Sequence, residues 1–451
     1  MNRPNIVLLH SHDAGRFCEP YGYAVRTPNL QKFATEGVLF RNAYCAAPTC
    51  GPSRCALMSG QYPHQVGVYG LPKKDHWHFN SFDKHLVQNL NTWGYHTVLA
   101  GCQHEADFGD LSPLGYAEIL GQQNEGKRLG ECYPETINDV EAFLARIPEV
   151  KPFFLSFGID EPHNDNLSRP ELGLHGKADR HSKTRFYDPD RLDARYTAPL
   201  SHLPDIPEVR REMASLAKGV EIMDEYMGRV LDALQHRGLE DNTLVIVTTD
   251  HGLEIPGGKM TLGDPGVGVM LMIRGPGGFH GGQVMEGLVE QIDLFPTICD
   301  LLEVPIPSWL EGKSLLPLVR GDVEDGSLHD AVFFEQTYHG KDFEPLRAVR
   351  TERYKLVLRH FETGPLMTSP GRSSQALEKL GWYKRPLGKV ELFDLYLDPC
   401  EACNRAEEPA YAVIRRDLEE RLRAWMEKTD DHFRTGILPE PGSLIQKVEK
   451  H

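Results

Sequence analysis

Four tracts of the chain set imidazole and carboxylate side chains directly after apolar runs. Ile6 to Leu9 leads into His10-Ser11-His12-Asp13, and Thr97 to Ala100 into Gly101-Cys102-Gln103-His104. Phe153 to Phe157 leads into Gly158-Ile159-Asp160-Glu161-Pro162-His163, and Leu244 to Thr249 into Asp250-His251-Gly252. Carboxylates suit hard divalent cations and imidazoles suit borderline ones. Histidine also gains and loses a proton near neutral pH, which suits general acid–base work. A fifth tract, Cys50-Gly51-Pro52-Ser53-Arg54, pairs a thiol with a guanidinium. Pro52 fits the first turn of a helix. Cys50 then sits just ahead of a helix N-terminus, where free backbone N–H groups and the helix dipole favour an anion. Arg54 adds a forked cation for oxyanion recognition. None of these tracts is specific alone; their convergence is the signal.

Convergence requires a scaffold. The four apolar runs alternate with helix-like stretches such as Thr27 to Glu36 and Pro207 to Arg237. Continuous apolar strands alternating with helices predict an α/β architecture, a large mostly parallel sheet with helices on both faces. In such sheets the ligand site lies beyond the carboxyl ends of the strands, the edge where all four tracts fall. Ile292 to Thr297 reads as the start of a further helix. This first domain is assigned to residues 1–334. Beyond it, Leu346 to Arg350, Tyr354 to Arg359 and Glu391 to Tyr396 read as strands and Tyr411 to Lys428 as an amphipathic helix. Residues 335–451 are therefore expected to form a smaller C-terminal α+β domain, an antiparallel sheet with one helix. Thr363 to Ser374, rich in Gly, Pro, Ser and Thr, reads as a loop.

A formal net charge of −16 over 451 residues disfavours nucleic acid and anionic lipid as main partners. No apolar run approaches the ~18 residues of a spanning helix, and the N-terminus lacks a secretory h-region, so a cytoplasmic location is expected. The nine cysteines are odd in number and irregular in spacing, unlike a disulfide framework. Cys400 and Cys403 form a CxxC pair without a second pair or a histidine cluster, and read as ordinary thiols.

The Cys50-to-Arg54 tract, with Met58-Ser59-Gly60 after it, resembles the sulfatase signature C-x-P-S-R-x-x-x-L-T-G. Met58 replaces the usual Leu and Ser59 the usual Thr. The likeness spans nearly the whole chain: Pro4-Asn5-Ile6-Val7-Leu8, Thr27-Pro28-Asn29-Leu30, Phe40-Arg41-Asn42-Ala43-Tyr44, Gly101 with His104, Glu161-Pro162-His163, Asp250-His251-Gly252, and Glu391-Leu392-Phe393-Asp394-Leu395 with Asp398-Pro399. It implies the alkaline-phosphatase-like sulfatase fold and the activity of a sulfuric ester hydrolase. It further implies that a maturation enzyme oxidises Cys50 to formylglycine, whose hydrate attacks sulfur. The catalytic residues it implies are Cys50, Arg54, His104, His163 and Lys259. The metal set is His12, Asp13, Cys50, Asp250 and His251, around one divalent ion that is usually Ca²⁺ in the family.

Two departures matter. His12 stands where the family places a carboxylate, and a site with both His12 and His251 shifts toward Mn²⁺ or Zn²⁺. Cys102 stands where the family places an active-site lysine; Lys73, Lys74 or an arginine is a candidate to compensate. His64 and His76, near the signature, are candidates to line the pocket or to pack. Gly67-Val68-Tyr69-Gly70-Leu71, His78-Phe79-Asn80-Ser81-Phe82-Asp83-Lys84 and Gly381-Trp382-Tyr383-Lys384 resemble the heparan N-sulfatase (sulfamidase) branch. The expected substrate is a sulfated sugar, as O-sulfate or N-sulfate. A phosphonate-monoester or phosphodiester hydrolase on the same scaffold is the nearest rival, against which Ser53 speaks. A catalytically silent binding protein is the other, motivated by His12 and Cys102. Oligomeric state is open.

Overall fold

The computed structural model describes residues 3–73, 76–121, 132, 135–147, 151–163, 193–361, 368, 371–384 and 387–442. The apolar runs become strands whose side chains are buried on both faces. β1 (Asn5–Ser11), β3 (His96–Gly101), β5 (Phe153–Gly158) and β6 (Thr243–Thr249) are the four predicted ones. With β2 (Val38–Tyr44), β4 (Glu118–Ile119), β7 (Leu271–Arg274) and β8 (Gln283–Glu290) they form one eight-stranded sheet, ordered β4-β3-β5-β1-β6-β7-β2-β8. Only β7 runs antiparallel to its neighbours. β1 is central, in parallel register with β5 on one side and β6 on the other. The four strands that carry chemistry are therefore contiguous, and their carboxyl ends share one edge.

Alternate residues of β1 face opposite cores. Ile6 and Leu8 join Leu57 and Met58 of the Cys50–Ser59 helix, Leu86 and Leu90 of the Leu86–Thr92 helix, and Phe295 and Ile298 of the Leu294–Leu301 helix. Val7 and Leu9 join Leu30 and Phe33 of the Pro28–Glu36 helix, Val140 and Phe143 of the Thr136–Arg146 helix, and Met213 through Leu234 of the Pro207–His236 helix. This is the expected three-layer arrangement, with continuous hydrophobic strands demanding cover on both faces.

A second, antiparallel sheet is formed by β9 (Val332–His339), β10 (Asp342–Arg350), β11 (Tyr354–Arg359) and β12 (Val390–Asp394), ordered β12-β11-β10-β9. The predicted amphipathic helix spans Ala412–Lys428 and packs Leu418, Leu422 and Trp425 against Val349, Leu356 and Leu392. β9 opens at Val332 and crosses position 334. Val332, Phe334, Leu346 and Val357 belong to the same core as Ile6 and Leu8, so the two sheets share buried surface. Beneath that junction, fully buried Arg347 is forked onto Asp431, with Nη2 2.9 Å from Oδ1. Most of the Thr363 to Ser374 loop lies outside the described residues, and Ser374 opens a short helix to Lys379. All nine cysteines are free. Among the described residues no helix is long and apolar enough to cross a membrane.

Candidate active site

The carboxyl edge of β1 turns sharply at Asp13, which holds φ 62°. A left-handed conformation at a non-glycine residue costs free energy and persists where surroundings fix it. Here Asp250 fixes it: its Oδ1 accepts from the backbone N–H of Asp13 and from that of His251, both at 2.9 Å. The ends of β1 and β6 are thus stitched together by one carboxylate. The ends of β3 and β5 meet as closely. Gly101 (φ 71°) pairs with Gly158, and a Cβ on Gly158 would lie 1.9 Å from the Cys102 carbonyl oxygen. His104 follows at φ 56°.

Cys50 is the first residue of the Cys50–Ser59 helix, all ten residues of which are buried. Pro52 lies in its first turn, as the spacing predicts. Ser53 Oγ donates to the Asp250 carbonyl, and Gln291 Nε2 donates to Thr249 O at 2.5 Å, so helix and strand end are clamped to each other. Arg54 is 2% exposed. Its Nε donates to Asp250 Oδ2 at 3.2 Å, its Nη2 reaches Ser11 O at 3.3 Å, and its Nη1 donates to His10 Nδ1. His10 thus supports the guanidinium, and burial together with the Arg54 charge lowers its pKa well below the usual histidine value.

One donor atom from each of His12, Asp13, Cys50, Asp250 and His251 lies within 4.8 Å of the others, and all five residues are buried. His251 Nε2 is 2.9 Å from Asp13 Oδ1 and 3.4 Å from Cys50 Sγ. His12 Nδ1 is 3.0 Å from Asp13 Oδ1 and 3.5 Å from Asp250 Oδ2, yet it makes no hydrogen bond. A buried nitrogen without a hydrogen-bond partner, directed toward two carboxylates, is the mark of a site built for a cation. The donor set of two carboxylates, two imidazoles and one sulfur fits a divalent metal. These are the five residues named from the sequence.

Each carboxylate also has a fixed buried cation. Lys259 Nζ donates to both Asp13 oxygens, at 3.1 and 3.0 Å, while Arg54 serves Asp250. Burial would raise the Asp13 pKa, but Lys259, His12, His163 and His251 hold it well below the carboxylate range. Asp250 is held to about 2 against burial by His12, His251 and Arg54. Burial also opposes ionisation of Cys50, but Lys259 and His12 outweigh it and draw its thiol well below the usual value. An anion is therefore favoured at the Cys50 position. Burial lowers the His104 pKa, but neighbouring Cys102 and Cys50 outweigh it and raise it. Burial, which raises the Cys102 pKa, is outweighed by His104 and Arg54, giving about 5. No lysine replaces the one missing there among the described residues: Lys73 is exposed, and Lys74 lies outside them.

His163 Nδ1 faces Asp13 Oδ2, and it sits 3.0 Å from Glu254 Oε2. Burial disfavours its cation, but Glu254 and Asp13 prevail and its pKa is raised well above 6.5. Glu254 was not anticipated, since it lies on the irregular stretch after β6. His339 was also missed: at the end of β9, it is close enough for Lys259, Cys50, His251 and Asp13 to act on its charge. No local pattern marks it, because its approach depends on docking of the second sheet. His64 lies elsewhere, buried between Glu335 and Thr429 O, and His76 is exposed. Trp382 lines a separate cavity of about 310 Å³ against the antiparallel sheet, with His202, Gly257, Arg359 and Cys400; none of the candidate site residues lines it.

The sulfatase family model matches residues 4–304, and that described as "N-sulphoglucosamine sulphohydrolase, C-terminal" matches residues 258–365. The chain is 30% identical to the N-sulphoglucosamine sulphohydrolase of Homo sapiens, over 98% of this chain and 93% of that one. It is 26% identical to an ulvan-active sulfatase of Formosa agariphila, over 99% of this chain and 78% of that one. A solved structure of a 2-O GAG sulfatase superimposes with a TM-score of 0.72 at 22% identity, covering 100% of this chain and 96% of the other, which shows a common fold.

Proposed function

From the premise that this chain belongs to the sulfatase family, we propose that it removes sulfate from a sulfated sugar at the edge formed by β1, β3, β5 and β6. The chain is a hydrolase of sulfate esters or sulfamates, and the reaction adds water across the S–O or S–N bond to give sulfate and an alcohol or amine. One observation carries the assignment of the site: Cys50, at the start of a buried helix, stands inside a set of metal-donor side chains whose two carboxylates are each paired with a buried cation. Oxidised to formylglycine and hydrated, the Cys50 side chain would supply the attacking oxygen. Asp13, Asp250, His251 and His12, with the Cys50 position, would hold a divalent ion that neutralises sulfate oxygens.

The chain's own residues do the rest. Arg54 and Ser53 fix Asp250, and with it the floor of the site. Lys259 keeps Asp13 ionised and adds positive charge where the sulfate must sit. His104, which neighbours the Cys50 side chain, is placed to take or return its proton. His163, cationic beside Glu254, is placed to protonate a leaving oxygen or nitrogen. The donor mix of His12 and His251 supports Mn²⁺ or Zn²⁺ alongside Ca²⁺ as occupants. The sulfamate reading draws on the human relative's name.

A panel of N-sulfated glucosamine, O-sulfated sugars, aryl sulfate and a phosphonate monoester tests this, with free sulfate or phosphonate as readout. Release of sulfate from the sugars, with the phosphonate turned over at least tenfold more slowly, is expected. Preferred cleavage of the phosphonate would replace the proposal with the rival.

A further inference from the structure

The two departures at His12 and Cys102 meet in space. His12 Nε2 lies 3.3 Å from His104 Nδ1, with the rings edge-on at 82°. One donor atom from each of His12, Cys102 and His104 lies within 4.8 Å of the other two. His12 is fully buried and Cys102 is 1% exposed. The three come from two strand ends, His12 after β1 and Cys102 and His104 after β3. His12 presents a different nitrogen to each side, Nδ1 to Asp13 and Asp250, and Nε2 to His104.

We propose that His12, Cys102 and His104 form a second metal site, selective for a thiophilic divalent cation such as Zn²⁺ and distinct from the carboxylate-lined set. Two imidazoles and a thiolate are nitrogen and sulfur donors, which select borderline and soft cations over Ca²⁺ and Mg²⁺. Bonds of roughly 2.0–2.3 Å in a tetrahedral arrangement separate donors by about 3.3–3.8 Å, the range in which His12 and His104 begin. Three protein donors leave the fourth position open for water.

The proton balance is defined. Cys102 binds as the thiolate. His104 binds through Nδ1 with its proton on Nε2, and His12 through Nε2 with its proton on Nδ1, facing the Asp13 carboxylate. Any proton held on Cys102 Sγ, His104 Nδ1 or His12 Nε2 leaves to solvent as the cation binds. With the first set also filled through His12 Nδ1, the imidazole bridges as imidazolate and the Nδ1 proton leaves as well. A cation held by His104 removes that ring from proton transfer at Cys50, so Zn²⁺ in excess inhibits turnover reversibly. Metal binding itself is independent of the substrate assigned above.

Co²⁺ serves as the spectroscopic probe for Zn²⁺. Because Cys50 is itself a donor of the first set, every form tested carries Cys50→Ala. The full chain, stripped by chelator, is titrated with Co²⁺ as Cys50→Ala alone and with Cys102→Ser, Cys102→Lys or Cys400→Ser/Cys403→Ser added. A thiolate-to-cobalt charge-transfer band is expected in Cys50→Ala and in the form that also lacks Cys400 and Cys403. It disappears when either Cys102 substitution is added, and those forms also lose one equivalent of Zn²⁺ by elemental analysis and bind Zn²⁺ at least tenfold more weakly. Two Cys102 substitutions guard against misfolding of one, with circular dichroism as the control. A band that survives the addition of Cys102→Ser, or no thiolate band in Cys50→Ala, overturns the proposal.

Discussion

At the scale of single residues, the candidate site is a balance of buried charges. Asp13 and Asp250 are buried and anionic because Lys259 and Arg54 face them at about hydrogen-bond distance. Breaking such a pair leaves an uncompensated buried charge, which is strongly destabilising. Cys50 has no such duty. Its sulfur lies 3.4 Å from His251 Nε2 but joins no carboxylate–cation pair, and an alanine at the head of a helix is well tolerated. Cys50→Ala is therefore expected to lower kcat by on the order of 10⁴-fold or more, with a melting temperature within about 2 °C of wild type. Activity assays on matured enzyme, beside thermal melts, check it. Intact-mass measurement of the wild type is the companion: conversion to the aldehyde removes roughly 18 Da, a loss absent from the variant. Wild-type turnover in Cys50→Ala would remove Cys50 from the mechanism.

At the scale of elements, much of the site was legible because strand ends carry their own punctuation. Ile6 to Leu9, Thr97 to Ala100, Phe153 to Phe157 and Leu244 to Thr249 are apolar without alternation, and each proved to be a strand buried on both faces. The polar residue following each had one edge on which to lie. β2, β7 and β8 were not legible as strands. β2 carries exposed Arg41 in its middle, β7 is four residues long, and β8 mixes Glu, Gln and Gly with its apolar positions. Glu254 and His339 escaped for a related reason: a loop path and the docking of a second sheet decide where they point. Trp382, singled out from a motif, lines a cavity apart from the site, since sequence likeness carries no direction for a side chain. The close approach of β3 and β5 yields a sharp expectation. Gly158→Ala sets a methyl group against the Cys102 carbonyl, where backbone on both sides has no room to yield. A destabilisation of about 3 kcal/mol or more, at the upper end of overpacking costs, is expected. Urea unfolding measures it, and a loss below about 1 kcal/mol would show that the strand ends part easily.

At the scale of the molecule, the large sheet and the antiparallel sheet are joined around buried ionisable groups, and these give stability a pH profile. Glu290, which ends β8, accepts from Tyr62 Oη at 3.1 Å. Burial lifts its pKa from 4.5 to about 8, with His329 opposing and Asp293 assisting. Between those values the folded protein keeps a proton that the unfolded chain has lost. The unfolded state then binds fewer protons, so stability falls as pH rises through this window. Glu290→Gln retains an acceptor for Tyr62 and cannot ionise. It is expected to gain a few kcal/mol over wild type at pH 8 and to match it near pH 4.5, by urea unfolding at the two pH values. An equal effect at both would mean that Glu290 is ionised in the fold.

The strand order also sets a clock. β1 is translated before both of its partners, β5 and β6, and the second of them ends 238 residues after β1 does, at Thr249 against Ser11. At ribosomal speeds of about 5–20 residues per second, the central strand waits on the order of 10–50 s for its second neighbour. During that wait both edges of β1 are open to wrong partners, the hazard of any template strand. Over the same interval Cys50, destined to be 7% exposed, is still within reach of solvent and of any enzyme that modifies it. Slower translation or lower temperature during synthesis lengthens this window, and the fraction of chains altered at Cys50 should rise with it.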